Sequence, residues 1–452
     1  MTSPATPKAA WWRGLTGYQW FVVAVACGAW FFDTLDQRLF SLARIPALSE
    51  LMGMEGGNPE LQAFAKIATA CFLIGWGIGG LVLGSMGDRF GRARMLTISI
   101  LLYSLCTGLT ALSRTPMEFA ILRVVTGIGI GGVFGLAVTL IAETVPPAAR
   151  VATLGLLQIL SVVGNLLAAF IKMGTDALAS SGAITTQDSW RLLFVIGAVP
   201  ALLAVGSGFF LKESEPWLAL KRAGNLPAAG LGPYRELIGD RDNRRNLVIG
   251  TLLAVSGVIG LWAIGEYAVD LQDAIFRPYY REMGVADLNG HVNAAKNYAF
   301  IAQMLGAAAG MMIFTWLADR VGRKVAFYIG FGAAFLFTIL GYAKMATPFD
   351  AYWMMPLMGA AQFGVFAGFS IYLPELFPSR TRSTGVSFAY NLGRFAAAGG
   401  SFFSALLTTR VFGGLETPLP LRYSAMVMCA VFLLGMAATA FARETKGQPL
   451  PQ

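Results

Sequence analysis

The segment GSMGDRFGRAR at residues 84–94 recurs in weaker form as TWLADRVGRK at residues 315–324. A second pair follows the same spacing, because ETVPPAAR at 143–150 returns as ELFPSRTR at 375–382. Asp88 and Asp319 are 231 positions apart and Glu143 and Glu375 are 232 apart, which is close to half of the 452 residues. Two pairs at nearly one spacing indicate that the chain consists of two homologous halves.

The composition indicates that lipid surrounds most of this chain. Hydrophobic residues make up 56% of it and charged residues 13%, against roughly 25% charged residues in an ordinary soluble domain. Apolar runs of about 20 residues, the length of a membrane-spanning helix, occur at 19–43, 65–87, 93–113, 116–141, 150–173, 189–211, 246–269, 295–317, 325–345, 351–373, 383–408 and 421–442. Barrel strands are shorter, about 9–11 residues, and alternate in polarity. We therefore predict an all-α integral membrane protein with twelve transmembrane helices in two six-helix bundles.

The bundles are expected at residues 1–212 and 246–452, with a polar linker at 213–245 between them. Lys and Arg collect in the loops after spans 2, 4, 6, 8 and 10, which predicts that these loops and both termini are cytoplasmic. The expected location is a cell membrane, with the bacterial inner membrane favoured. The net charge of +9 is scattered over loops rather than gathered on one face, which argues against nucleic-acid binding.

No metal, cofactor or disulfide is expected. Cys27, Cys71, Cys106 and Cys429 lie inside apolar runs without paired or metal-like spacing. The single histidine, His291, falls in a predicted outer loop, and no nucleotide-binding Gly-x-x-x-x-Gly-Lys-Ser/Thr occurs in the chain. These features argue against an enzyme and against a nucleotide-driven pump. Duplicated membrane halves are instead typical of secondary transporters.

The repeated loop motif has the chemistry of a gate that forms and breaks. Gly87 and Gly91 allow a tight turn, and the arginines offer cations to carboxylates or helix C-termini of a neighbouring bundle. Glu143 with Arg150, and Glu375 with Arg382, are expected to complete the network in each half. The alternative is that the arginines only fix the topology. The predicted cytoplasmic gate residues are Asp88, Arg89, Arg92, Glu143, Arg150, Asp319, Arg320, Arg323, Glu375 and Arg382.

These motifs, together with RVVTGIGIGG at 123–132, resemble the major facilitator superfamily over nearly the whole chain. ESEPWL at 213–218 is similar to the Pro-Glu-Ser-Pro-x-Trp-Leu element of the sugar porters and their organic-ion relatives, in a different order. The second loop copy departs at Thr315, where the first has Gly84. The resemblance implies a monomeric transporter whose two bundles open a central site alternately to each side of the membrane.

Span 1 carries FFDTLDQRLF, in which Asp33 and Asp36 share a helix face. Charges inside spans are costly and are candidates for function, and two close carboxylates repel, which suits one of them to carry a proton. The pattern is similar to the Asp-Gly-x-Asp of aromatic-acid/proton symporters, with Thr34 in place of the glycine. Arg123 in span 4 lies at matching depth and is the expected partner. The alternative is a static ion-pair cluster that holds the N-terminal bundle together.

Span 11 carries AYNLGR, in which Tyr390, Asn391 and Arg394 can face one cavity. Arg394 lies about 18 Å along its helix, near the midplane where transporters bind substrate. Its planar guanidinium fits a carboxylate bidentately, and an arginine in this helix of the organic-anion relatives resembles it in place and role. The alternative is an arginine paired with a distant acid such as Asp33 or Glu266.

Further substrate-binding candidates at cavity depth are the amides Gln158, Asn165 and Gln362, although single amides also hold helices together. Aromatic candidates for stacking on a substrate are Trp30, Trp76, Trp262 and Tyr267. We expect a proton-coupled symporter that imports a small organic anion by alternating access; a monocarboxylate is favoured, either aromatic or aliphatic. A sugar carrier, an organic-cation carrier and a drug exporter of the same superfamily remain the alternatives.

Overall fold

The computed structural model describes residues 11–55, 58–228 and 230–452, which form helices and no strand. Twelve long helical units match the twelve apolar runs, so the predicted all-α fold is confirmed. They are α1 (Gly17–Met52), α2 (Pro59–Phe90), α3 (Arg92–Thr110), α4 (Pro116–Thr144), α5 (Pro147–Ser180), α6 (Thr186–Gly197 and Pro200–Phe210), α7 (Arg241–Glu282), α8 (Leu288–Val321), α9 (Arg323–Lys344), α10 (Pro348–Leu376), α11 (Arg382–Leu406) and α12 (Leu419–Met428 and Ala430–Phe441).

Ten of these units are long and apolar enough to cross a membrane by length and composition. The other two among the described residues are α1 and α11. These are the helices that carry Asp33, Asp36 and Arg394 in their interiors. The two helices that do not meet this criterion therefore carry three of the predicted site residues.

Local sequence signals set the helix ends. α1, α4 and α10 begin after Thr16, Thr115 and Thr347, whose hydroxyls accept a hydrogen bond from a backbone N–H in the first turn. Proline follows as the first helical residue of α4 and α10. Gly91 and Gly322, with φ of 108° and 102°, allow the reversals between α2 and α3 and between α8 and α9.

The two ends of the bundle are distinguished by their contacts. Near the start of α1, the Tyr18 hydroxyl bonds the backbone of Lys212 after α6, at 2.8 Å from its N–H. Gln19 donates to the carbonyl of Thr144 at the end of α4 at 3.2 Å. At the start of α7, Asp242 pairs with Arg443 after α12 at 2.8 Å. We call this end the linker side, because two short helices of the linker, Glu215–Arg222 and Gly232–Gly239, belong to the same connection, and the opposite end the far side.

The halves meet where α11 packs on α2 and α4, and where α5 packs on α8 and α10. Close approach requires glycine at two repeat-related contacts. A Cβ on Gly84 of α2 would overlap the Ser387 hydroxyl of α11, and a Cβ on Gly155 of α5 would overlap Thr315 of α8. In both contacts the glycine belongs to the N-terminal half and the hydroxyl residue to the C-terminal half, which explains why the second motif copy has threonine where the first has glycine.

Candidate functional site

Arg394 lies between the two halves. Its guanidinium carbon is 3.3 Å from the ring centroid of Trp76 in α2, and its Nη2 donates to the Tyr390 hydroxyl at 3.3 Å. The side chain is 7% exposed. Among the described residues it forms no ion pair, and its Nε has no hydrogen-bond partner. The buried guanidinium of Arg394 in the C-terminal half thus lies on the ring face of Trp76 in the N-terminal half. Within the described part of the chain, its Nε–H remains free to donate a hydrogen bond.

Aromatic rings surround this position. Tyr390 stacks on Phe134 of α4, with centroids 3.8 Å apart and an angle of 21° between the rings. Trp30 of α1 lies 5.0 Å from Phe134, and its Nε1 donates to Gln158 of α5 at 3.1 Å. Gln158 in turn donates to the carbonyl of Phe366 in α10 at 3.1 Å. The predicted amide therefore ties two aromatic residues of opposite halves together.

Asp33 is fully buried in α1, and neither of its carboxylate oxygens has a hydrogen-bond partner among the described residues. Arg394 and Asp36 lie within electrostatic range, although neither an ion pair nor a hydrogen bond joins Arg394 to Asp33. Burying a charge without partners is costly. The geometry therefore favours a carboxyl group that is neutral in this arrangement of the helices.

Asp36 has a different environment one helical turn away. Its Oδ1 accepts a hydrogen bond from Thr107 of α3 at 2.7 Å, and its Oδ2 lies 3.9 Å from Arg123 Nη1. Arg123 also donates to Thr110 and lies over the ring of Phe194, 4.8 Å from the centroid. The structure thus brings Asp36 and Arg123 together, as the sequence predicts, and leaves Asp33 apart from that pair.

The remaining predicted binding residues are amides with hydrogen bonds of their own, and Asn391 reaches the carbonyl of Gly131 in the opposite half at 3.5 Å. Asn391 donates to the carbonyl of Ser387 at 2.8 Å in its own helix, and its Oδ1 has no partner among the described atoms. Gln362 donates to Thr338 at 2.9 Å within the C-terminal half. Asn165 donates to the carbonyl of Ser161 at 2.9 Å. The side chain of Glu266, an alternative partner of Arg394, lies outside the described residues.

On the linker side, Asp88 joins the halves. Its carboxylate pairs with Arg92 at 3.0 Å and accepts hydrogen bonds from the start of α11, from the N–H of Ser383 at 3.2 Å, the N–H of Thr384 at 2.8 Å and the Thr384 hydroxyl at 2.6 Å. A carboxylate at a helix N-terminus is favoured by the free N–H groups and the helix dipole. Asp88 therefore holds α2 against the first turn of α11.

Glu143 at the end of α4 is the second crossing point. It pairs with Arg382 of α11 at 2.7 Å and with Arg92 at 3.3 Å, and it accepts from Ser214. Arg92 also donates to the carbonyl of Ser379 in the other half. The pairs expected within each half are not formed, because Arg382 crosses to Glu143.

The corresponding residues of the C-terminal half stay within that half. Glu375 is bonded by Arg323 at 2.7 and 3.0 Å and by Thr445 at 2.5 Å. Asp319 is exposed and forms no ion pair among the described residues, unlike its repeat partner Asp88. In the N-terminal half, Arg150 donates to the carbonyl of Ala142 at 3.0 Å instead of pairing with Glu143. The predicted gate residues are thus gathered on one side of the protein but bonded asymmetrically.

The last two gate candidates lie at the periphery. Arg89 donates to the carbonyl of Pro227 in the linker at 2.7 Å, and Arg320 lies over the ring of Trp316, 5.1 Å from the centroid. Neither side chain contacts the opposite half through these bonds.

Sequence reasoning missed a further contact that occurs in both halves, a glutamate that caps the start of a helix. Glu213 accepts hydrogen bonds from the N–H groups of Ala93 and Arg94 at the start of α3, at 3.1 and 2.9 Å. Glu444 does the same at the start of α9, with the N–H groups of Arg323 and Lys324 at 2.9 and 3.1 Å. The two glutamates are 231 positions apart, so the spacing of the motif repeat would have revealed them.

Two six-helix halves, a buried arginine between them and a crossing network on one side define a secondary transporter of the major facilitator superfamily. The chain belongs to the Sugar (and other) transporter family, which matches residues 20–232 and 289–452. It is a membrane transporter and not an enzyme.

Two curated relatives cover nearly the whole chain. The cis,cis-muconate transport protein of Acinetobacter baylyi is 27% identical over 415 residues, covering 91% of this chain and 90% of that one. The gallate transporter of Pseudomonas putida is 25% identical over 459 residues, covering 95% and 92%. A solved proton:xylose symporter of the superfamily aligns with a TM-score of 0.74 at 19% identity, covering 96% and 98%. At that identity the likeness shows the fold alone.

Proposed function

We propose that this chain is a proton-coupled symporter that imports a small organic anion, a monocarboxylate with an aromatic or unsaturated body, by alternating access. The linker side is proposed to be cytoplasmic, because Lys and Arg concentrate in its loops, and a bacterial inner membrane is the expected location. The site lies between two halves of one chain, so a monomer suffices.

The observation that carries this proposal is Arg394. A buried guanidinium without a carboxylate partner among the described residues favours an anionic ligand, since charge-assisted bidentate bonds are among the strongest polar contacts in proteins. Trp30, Phe134 and Tyr390 provide flat apolar surface beside it. The gallate relative is named for an aromatic monocarboxylate, and the muconate relative for an unsaturated acid with two carboxylates, so both names include the carboxylate that Arg394 would bind.

The two aspartates are proposed to have separate roles. Asp33 is the proton carrier, because it lacks fixed partners and lies within electrostatic range of Arg394. Asp36 is held by Thr107 and Arg123 and positions the α1 segment that presents Asp33. The proposal refines the sequence prediction, which assigned the proton to the pair.

This arrangement gives an order of events. A deprotonated Asp33 attracts the Arg394 guanidinium and competes with the substrate carboxylate for it. A protonated Asp33 leaves the guanidinium free for the substrate. Proton binding therefore precedes substrate binding, and the loaded protein releases the linker-side contacts of Asp88 and Glu143 when the halves rock.

Reconstituted vesicles test the proposal. Purified protein in proteoliposomes should accumulate labelled benzoate or gallate when the outside is acidic, and a proton ionophore should abolish the accumulation. Benzamide, which has the shape of benzoate without the charge, is the matched control and should not compete. Uptake of xylose or of an organic cation in place of the acids would replace this proposal by the corresponding alternative.

A further inference from the structure

A contact between α1 and α3 sets the register of these two helices. The Thr107 hydroxyl of α3 donates to Asp36 of α1 at 2.7 Å, and both helices run from the linker side to the far side. Tyr103 lies four residues before Thr107 and Asp33 three residues before Asp36, so each shares its partner's helix face. At about 1.5 Å per residue, Asp33 lies about 4.5 Å and Tyr103 about 6 Å further toward the linker side. Tyr103 and Asp33 are therefore level with each other.

Their unused hydrogen-bonding groups are complementary. Tyr103 is fully buried and its hydroxyl has no hydrogen-bond partner among the described residues. The two oxygens of Asp33 are equally buried and equally without partners there. Buried polar groups are nearly always bonded, and an exception calls for an explanation. The free donor of Tyr103 and the free acceptors of Asp33 lie at one level, so a hydrogen bond between them in another state of the protein would explain why neither has a partner here.

We propose that Tyr103 is a positioning residue for the coupling reaction. Its hydroxyl donates a hydrogen bond to Asp33 when that carboxyl is deprotonated and releases it when Asp33 is protonated; in this structure the bond is not formed. The bond stabilises the charged carboxylate and so sets the pH at which Asp33 takes up its proton. The role rests on the proposed function of Asp33 as the proton carrier.

The charged and titratable groups around this contact come from four helices. Asp36 of α1 lies within electrostatic range of Tyr103, and Arg123 of α4 forms an ion pair with Asp36. Arg394 and Tyr390 of α11 lie in range of Asp33. Cys106, on α3, faces Arg123. None of these groups offers Asp33 a hydrogen bond among the described residues, whereas the register brings the free hydroxyl of Tyr103 to its level.

An infrared titration of purified protein in lipid tests this role without any transport. The carboxylic acid carbonyl band of Asp33 is identified as the band that Asp33→Asn removes. Loss of a hydrogen bond to a charged group should move its titration midpoint in Tyr103→Phe to higher pH by about 1–2 units. Tyr342→Phe is the matched control, because Tyr342 is equally buried, lies in α9 of the other half and donates its hydroxyl hydrogen to the backbone carbonyl of Ile264. Its midpoint should stay at the wild-type value.

A second variant protects the test against misfolding of Tyr103→Phe. Fluorotyrosine at position 103 keeps the ring and strengthens the donor, so the midpoint should move to lower pH. An unchanged midpoint in both variants overturns the proposal, as does an Asp33 band that titrates in none of the proteins. Failure of the proposed function has a different signature, namely wild-type vesicles that do not accumulate carboxylates while the band still responds to Tyr103.

Discussion

The two halves resemble each other at the linker side and differ in the membrane interior. Arg92, Glu143 and Ser214 form the same arginine–glutamate–hydroxyl contact as Arg323, Glu375 and Thr445. The interior charges have no such counterparts. The positions 231 and 232 residues after Asp33, Asp36 and Arg123 hold no charged residue; they are Ile264, Gly265, Tyr267, Ala268, Met354 and Met355. The positions 231 and 232 residues before Arg394 are Val163 and Val162.

The difference teaches which parts of a duplicated transporter perform a shared task. Both halves must close at the linker side, and both have kept the residues for it. In the proposed mechanism, proton binding and anion binding need different chemistry, and each is assigned to one half. Asp33 of the N-terminal half and Arg394 of the C-terminal half then interact only across the interface.

The largest expected effect distinguishes the role of Asp33 from that of Asp36. Asp33→Asn should reduce proton-driven accumulation by about 100-fold or more, because an amide carries no transferable proton, while exchange of internal for external substrate continues. Asp36→Asn should act on stability, since removing one partner of a buried ion pair costs roughly 3–5 kcal/mol. Uptake against a gradient and thermal unfolding in the same lipid check both. Full accumulation by Asp33→Asn would show that the proton binds elsewhere.

The positions of the helices followed from the sequence, and so did the burial of Arg394 and the pairing of Asp36 with Arg123; the roles of these residues stay predictions. Runs of apolar residues determine where a chain can cross a bilayer, and a charge inside such a run stands out. The exact partners did not follow. The sequence places Arg382 near Glu375, yet it reaches Glu143 of the other half, because packing of α11 on α2 and α4 decides which carboxylate lies within reach.

Two kinds of residue escaped sequence reasoning for different reasons. Tyr103 and Thr107 lie in an apolar run where hydroxyls carry no charge signal, and only the register of α3 against α1 gives them meaning. Glu213 and Glu444 were visible through the repeat spacing, but capping of a distant helix start is a tertiary contact.

The crossing network provides a second comparison. Glu143 bonds the opposite half, whereas the ion pair of Glu375 stays within its own half. Loss of a charge-assisted bond across the interface should increase the fraction open at the linker side by about 10-fold in Glu143→Gln. Glu375→Gln should change it by less than about 3-fold, because an ion pair within one half is present in both the open and the closed state and does not shift their equilibrium. Distances between spin labels at Arg94 and Val325, which begin α3 and α9, measure the open fraction. Equal responses of the two variants would refute the asymmetry.

The contacts between glycine and a hydroxyl residue across the two halves allow a milder perturbation. Gly155→Ala introduces a methyl group that overlaps Thr315 when the linker side is closed, and overpacking of this kind costs roughly 1–3 kcal/mol. The open fraction should rise about 5-fold or more, and the double variant with Thr315→Gly should restore it. A double-mutant cycle on the spin-label distances measures the coupling. Additive effects would mean that the two residues do not meet in solution.

The smallest effect concerns the cap of α9. Burial raises the pKa of Glu444, but hydrogen bonds from the N–H groups of Arg323, Lys446 and Lys324 outweigh it and leave this pKa below its usual value of 4.5. Its stabilisation is therefore present above the unfolded pKa and disappears as the pH falls through the folded one. After allowance for solvent exposure, Glu444→Gln should cost about 0.5–1 kcal/mol at neutral pH. Thermal unfolding should show no difference from wild type in strong acid; a difference that persists there would contradict the cap.

Proton linkage of ligand binding tests the division of labour most directly. Calorimetric titration of benzoate in buffers of different ionisation enthalpy, at a pH where Asp33 is largely deprotonated, gives the protons taken up per ligand bound. We predict about one proton in the wild type and about none in Asp33→Asn, which should still bind. Arg394→Ala should bind about 10- to 100-fold more weakly. Benzoate binding without proton uptake in the wild type, or with unchanged affinity in Arg394→Ala, would contradict the account.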